Sequence, residues 1–447
     1  MKLADDLTPG SISDGEAVTR DEFSKLKFMA EEVYTANRVQ MPGIFYHMPS
    51  RRIYTSLFAW DSGWHAISML HLDPAMAAAE LATLLAQTRS DGRLPHESVL
   101  PGAPQEQWLR RMLASYTRRA YDANRPCHLV DPPSFIVAAE MVFQKTGDRG
   151  WLRGTWDNME RCMGYLLTER DQFGDGLISI HHPWESGTDL SPQYYEALGL
   201  DPTRPLDAPK ARIAGALLYR LCARHGWDSG GSRWKRSFVL EDLTMNCIAL
   251  RACRSMAVLA ETLGLPERAV YYATRARRMM DALDRIDWDE TQGIYFPRFD
   301  LARPRLARVK TAASLLPLFT GLCSPEKADS LVTRHVLEPA EFWGPYVLPF
   351  NPADELAKVR PWVERRLWSG HCIWMNFNWM LAVGLEEHGY AETARQIAAR
   401  SVRMILRSGF WEFYDSRTGA GCRTEDFTWP GLALDLVARF WPDSTGA

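Results

Sequence analysis

The sequence has no long uncharged apolar run, no extended basic block and no closely spaced cysteine pair, and each absence excludes a class. A membrane-crossing helix needs about 18 or more consecutive apolar residues, so no membrane partner is expected. Net charge is −3, whereas a nucleic-acid or anionic-lipid partner asks for a basic surface. The eight cysteines, at 127, 162, 222, 247, 253, 323, 372 and 422, form no CxxC. That scatter fits free thiols in a reducing compartment, with no zinc, other metal or cofactor expected. After Met1 the chain runs LADDLTPGSISDGEAVTRDE, acidic and without the apolar core of a secretory signal. A cytoplasmic location is the expectation.

What is present is ordinary globular material, 46% hydrophobic and 24% charged over 447 residues. That length suits two or three average domains or one large repeat-built domain. Tryptophan is the skewed quantity, with 17 residues. Indole faces suit the C–H surfaces of sugars, and they are equally common core material.

Helical periodicity runs through nearly the whole chain. PAMAAAELATLLAQ, SFIVAAEMVFQKTG, FVLEDLTMNCIALRACRSMAVLAETLG and IWMNFNWMLAVGLEEHG place apolar residues at i, i+3, i+4 and i+7. Three of these end at a glycine suited to a left-handed cap, Gly147, Gly264 and Gly389. After each comes a second amphipathic helix, then an acidic turn and an extended piece: FGDGLISI, WDETQGIYF and FWEFYDSRTGAG. Nearly the same spacing separates Gly147 from Gly176, Gly264 from Gly293 and Gly389 from Gly419. Helix pairs recurring with one loop type imply a ring or a solenoid. Weaker helical pairs at 60–88, 311–334 and 428–440 raise the count toward a double ring. Residues 196–236 break the pattern and read as an irregular excursion over the site face, within a single domain spanning 1–447.

Four clusters carry chemistry. In HHPWESGTDLSPQYY, residues 181–195, Glu185 and Asp189 accompany Trp184 and Tyr194. Desolvation there would raise a carboxyl toward a usable general acid; the alternative is that Asp189 caps a helix over 192–198. In SGFWEFYDSRTGAGCRTEDFTW, Glu412 sits in an alternating aromatic run. It is either a solvent-facing strand residue or a base held against a sugar, with Glu425 and Asp426 as rivals. In SLFAWDSGWHAISML, Trp60, Asp61 and Trp64 open a helix, and Asp61 is either a site residue or the N-cap. RRLWSGHCIWMNFNWM brings three tryptophans into another helix.

These stretches closely resemble the motifs of glycoside hydrolase family sixty-three. HPWESG-x-D-x-SP matches its general-acid motif, and ESG-x-D is shared with the trehalases of family thirty-seven. Trp60 to His65 is similar to WDSGFH, Gly92 to His96 to GxxPH, and Asp131-Pro132-Pro133 to QPP. Trp368 to Trp379 is similar to WRGPxWxNxNW. Glu412 to Gly419, with Phe427-Thr428-Trp429, is similar to the base motif. The resemblance covers nearly the whole chain, in family order. Three positions depart from it: Ser369 replaces the arginine, Asp131 the glutamine, and Leu190 the asparagine after the acid.

The resemblance implies an all-α (α/α)₆ barrel, a helical toroid with short β segments and loops at its mouth. It implies an inverting α-glycosidase with Asp189 as acid and Glu412 as base. It also places Trp60, Asp61, Trp64, His96, Trp184, Glu185, Trp368, Gly370 and Trp429 around a small sugar. Chain length points to the short bacterial mannosylglycerate and glucosylglycerate hydrolases as the nearest kind. A glucosidase for a disaccharide or short oligosaccharide, trehalose included, is the alternative substrate class. A non-catalytic carbohydrate-binding toroid is a third reading, and a sugar epimerase using His96, His182 and His371 a fourth. Aglycone choice is expected to lie with 196–236, and a homo-oligomer is left open.

Overall fold

The computed structural model describes residues 17–100, 128–201, 208–224, 238–357 and 367–446. Its organisation follows from two kinds of helix. Ala59–Met69 is buried at all eleven positions, and Leu243–Leu263 and Met375–Glu387 are buried on almost every side. Helices apolar all round belong inside a larger assembly. Arg149–Glu169, Pro266–Ile286 and Ala391–Ser408 bury one stripe only, which suits an outer layer.

The buried elements touch in a closed cycle. Ala59–Met69 packs on Ser134–Thr146, which packs on Leu243–Leu263. That helix meets the 3₁₀ segment Ala312–Thr320, which packs on Met375–Glu387. Met375–Glu387 meets Trp429–Leu432, the lead-in to helix Ala433–Phe440, and this returns to Ala59–Met69. Among the described residues this makes an inner ring of six elements. Pro74–Leu85, Arg149–Glu169, Pro266–Ile286, Pro325–Leu331, Ala391–Ser408 and Arg20–Asn37 lie outside it. The all-α toroid expected from the sequence is the architecture.

Close approach within the ring depends on glycine: a Cβ on Gly63 would stand 2.6 Å from the backbone of Phe135. The cap glycines Gly147, Gly264 and Gly389 all take positive φ, as do the turn glycines Gly176, Gly293 and Gly419. The repeat inferred from their spacing is therefore a structural repeat.

Two expectations need correction. The helical pair at 311–334 begins as a 3₁₀ segment, Ala312–Thr320, with Pro317 inside it; proline removes one backbone donor and disfavours regular α-helix. The excursion at 196–236 is not irregular throughout, because its centre forms the helix Ala208–Arg224. Its residues 202–207 and 225–237 lie outside the described residues. Leu243–Leu263 is long and apolar enough to cross a membrane by length and composition, but 83% of its apolar window is buried inside the ring. Among the described residues every cysteine is a free thiol; Cys127 lies outside them.

Candidate active site

Two loops bring carboxylates to one end of the ring. The segment carrying Asp189 lies between the second and third inner elements, and the hairpin carrying Glu412 lies between the fifth and sixth. Three places apart in a six-membered ring, they face each other across its mouth. Between them is a cavity of about 90 Å³, lined by Tyr54, Trp60, Asp61, His96, Asp189, Trp368, Trp374, Glu412 and Trp429, with Pro49, Phe58, Gly187, Leu367 and Phe427. A water needs about 10–15 Å³ of such space, so the cavity suits one small ring-sized molecule.

The floor is aromatic. Trp368 and Trp374 stack with centroids 3.7 Å apart, and Trp60 meets Trp429 edge-on at 5.2 Å. Trp429 donates its indole N–H to Asp61 Oδ1 at 2.8 Å. Asp61 lies in the first turn of its helix, where Phe58 is the N-cap, so capping is not its task. Burial, then the charge of Asp131, holds the Asp61 carboxyl well above the usual range. Asp131 accepts from the Trp60 backbone N–H and pairs with His96 Nδ1 at 2.5 Å. Burial alone would lower His96, but Asp131 overrides it and lifts the imidazole to about 9. His96 is thus a cationic donor in the cavity wall, a consequence of aspartate standing where the resemblance expects glutamine.

The loop bearing Asp189 is fastened behind the cavity. Glu185 receives Arg170 in a two-pronged pair at 2.8 and 2.7 Å and also accepts the backbone N–H groups of His181 and Val130. Burial would raise Glu185, but Arg170 dominates and holds it at about 2. Ser186, Thr188, Tyr194 and Asp242 form a buried hydroxyl–carboxylate chain beneath the loop. Gly187 takes φ 74°, and a Cβ there would stand 2.4 Å from the Trp60 ring; only glycine fits that turn. The neighbouring 3₁₀ turn Pro192–Tyr194 is capped by Ser191, so Asp189 is not its cap. Burial pushes Asp189 up to about 6, while His96 and Arg423 pull it down. The neighbouring charge pushing it up is Asp131. Glu185 is paired with Arg170 instead.

Glu412 is 3% exposed, which removes the solvent-facing reading. Its Oε1 accepts from Tyr54 Oη at 2.9 Å and from Arg423 Nη1 at 2.7 Å. Burial pushes it up to about 7 against the pull of Arg423 and Tyr54. Its rivals face outward: Glu425 and Asp426 pair with Arg52 on the surface.

Four residues named around the sugar do not line the cavity. Trp64 is core, packed against Trp60 and Trp379. Trp184 is 37% exposed and rests on His182 and on Tyr219 of helix Ala208–Arg224. Glu185 is a loop anchor. Gly370 offers its carbonyl to Asn351, which also holds the Trp368 carbonyl. Nor do the described residues of 196–236 reach the cavity. Of the three histidines an epimerase would recruit, only His96 lines it; His182 is buried against the Gly215 carbonyl and held at about 4 by burial.

Sequence reading missed Tyr54, Phe58, Trp374, Phe427 and Arg423. Tyr54 and Phe58 could have been read from the aromatic spacing that runs into Trp60. Arg423 could not. Among the described residues no group of three or more His, Cys, Asp or Glu side chains is arranged to hold a metal ion.

A toroid whose mouth sets a buried and a half-buried carboxyl, Glu412 and Asp189, over a tryptophan floor is the architecture of a sugar-cleaving enzyme, and the comparisons agree. The profile of the mannosylglycerate hydrolase MGH1-like glycoside hydrolase domain matches residues 54–430, and the chain belongs to that family. It is a glycoside hydrolase. It is 28% identical to the mannosylglycerate hydrolase of Rubrobacter radiotolerans, over 88% of this chain and 93% of the relative. It is 24% identical to the glucosylglycerate hydrolase of Mycolicibacterium hassiacum, over 86% and 91%. The crystal structure of the GH63 mannosylglycerate hydrolase from Thermus thermophilus with glucose superposes with a TM-score of 0.75. That match has 28% identity and covers 93% of this chain and all of the other.

Proposed function

We propose that the protein hydrolyses a small α-glycoside with inversion, and that its substrate is a glycosylglycerate, mannosylglycerate or glucosylglycerate. Asp189 gives its proton to the glycosidic oxygen as the bond from that oxygen to the anomeric carbon breaks. Glu412 takes a proton from a water whose oxygen bonds to the opposite face of that carbon. The observation that carries this reading is the pair of carboxyls, both raised by burial toward neutrality, on opposite sides of one ring-sized cavity. Inversion needs about 6.5–9.5 Å between such carboxyls, so that a water fits between base and sugar. Placement across the mouth suits that gap.

Within the cavity the tryptophan faces take the apolar side of the sugar ring, and Asp61 and His96 offer it polar partners. The glycerate aglycone is supported by relatives named for it in two bacterial lineages. The test is hydrolysis of mannosylglycerate, glucosylglycerate, trehalose and kojibiose by the purified protein, with the first-formed sugar followed by NMR. A glycosylglycerate turned over fastest, releasing the β-anomer first, is the expected result. Preference for trehalose or kojibiose would move the substrate to the disaccharides, and an α-anomer released first would refute inversion.

A further inference from the structure

The hairpin that carries Glu412 is irregular at that residue. Trp411 pairs with Glu425 and Phe413 with Cys422, with a register shift between them. Glu412 therefore stands opposite two residues, Arg423 and Thr424, the arrangement of a β-bulge. Arg423 adopts φ 72°, a left-handed conformation that glycine takes freely and that costs a residue with a Cβ. Strain of this kind persists where surrounding structure demands it, often at functional sites. The bulge itself does not ask for arginine.

What arginine adds is contact with one carboxylate oxygen. Its Nη1 lies 2.7 Å from Glu412 Oε1, and its guanidinium carbon is 5.3 Å from the centre of the Tyr54 ring. Tyr54 Oη donates to the same Oε1. The other oxygen, Oε2, is buried and has no hydrogen-bond partner among the described residues.

We propose that Arg423 is the positioning residue of the base: with Tyr54 it fixes Oε1 and leaves Oε2 as the oxygen that accepts the proton from the attacking water. The inference rests on the reading of Glu412 as base. In the reaction the water O–H bond breaks, the proton goes to Oε2, and the water oxygen bonds to the anomeric carbon. The Asp189 proton goes to the departing glycosidic oxygen. Arg423 loses and gains nothing; it sets geometry and favours the ionised carboxylate.

Three variants separate this from a purely structural role. Arg423→Gly sets relief of the left-handed backbone against loss of the Glu412 ion pair, so its thermal unfolding midpoint should change little, while kcat falls by about 10–100-fold, the scale of a misplaced reacting group. KM should stay within about threefold, because Arg423 is not assigned to sugar binding. Arg423→Gln should lose kcat similarly, and Arg423→Lys should recover part of it. The groups facing Glu412 are Arg423 on its own hairpin, Tyr54 from the segment before the first inner helix, and Asp189 from the opposite loop. His96 and Asp61 share the cavity. Removing the Arg423 cation removes a pull toward ionisation, so the acidic limb of the pH–rate profile should move to higher pH in the Gly and Gln variants and less in Lys. Wild-type kcat in Arg423→Gly, or stability and activity falling together with the acidic limb unmoved, would overturn the proposal. Glu412→Gln is run beside them: if it keeps wild-type turnover, the base assignment itself has failed, and if it is inactive, the Arg423 variants judge the positioning role alone.

Discussion

The Asp189 loop and the Glu412 hairpin each deliver one carboxyl to the same cavity, and they hold it in opposite ways. The loop is anchored behind the residue, by the Arg170–Glu185 pair and the chain from Ser186 to Asp242. The hairpin is anchored at the residue, with Tyr54 and Arg423 both on Glu412 Oε1. The difference suits the chemistry proposed. An acid must be protonated and then release its proton, and burial favours the neutral form of Asp189 even against the pull of His96 and Arg423. A base must be ionised and aimed, so donors on one oxygen serve it.

The largest effect should come from breaking the hairpin side. Glu412→Gln keeps shape and hydrogen-bonding capacity but cannot take a proton, and should lower kcat by about 10²–10⁴-fold on every leaving group. The loop side should break through folding rather than chemistry. Arg170→Met leaves Glu185 buried without its partner, and losing one member of such a pair costs about 3–5 kcal/mol; a thermal or denaturant unfolding curve reads the loss. The sign with pH follows from the depressed Glu185 value of about 2. The pair's contribution is present above the unfolded carboxylate value and is lost as pH falls toward 2. The difference in stability between wild type and Arg170→Met should therefore narrow in acid.

A subtler comparison is the pH profile. With the acid at about 6 and the base at about 7, the two carboxyls titrate as a pair. The profile of kcat/KM, which reports the free enzyme, should be a narrow bell centred between those values, falling below as the pair takes up a second proton and above as it loses its last. A plateau reaching well past about pH 8 would contradict the buried environments found for both. The smallest effect should be Glu425→Gln, an exposed partner of Arg52, which should change stability by less than about 0.5 kcal/mol and leave turnover unaltered.

Much of this was legible in the sequence, and the pattern of what was not has a physical basis. The toroid followed from apolar periodicity and the recurring glycines, because a buried helix and a left-handed cap each leave a local signature. Asp61, Asp189, Trp368, Glu412 and Trp429 followed from motif resemblance. Trp64 and Glu185 carry the same motifs but face away from the cavity. Neighbours in a sequence motif point to different sides of a turn or helix, and only the fold decides which side is the cavity. Arg423 was missed because it reaches Glu412 through a bulge, and a bulge leaves no regular spacing. The Asp131 departure was visible, but its consequence, a cationic His96, required their contact to be seen.

The central claim is that Asp189 supplies the proton and Glu412 prepares the water. It is tested most directly by measuring Asp189→Asn on two substrates with one glycone, the natural alkoxide leaving group and a nitrophenolate or fluoride. The account expects about 10²–10⁴-fold loss on the natural substrate and a much smaller loss on the activated one, because a good leaving group departs without a proton. Near-normal turnover on the natural substrate, or an equal loss on both, would contradict it.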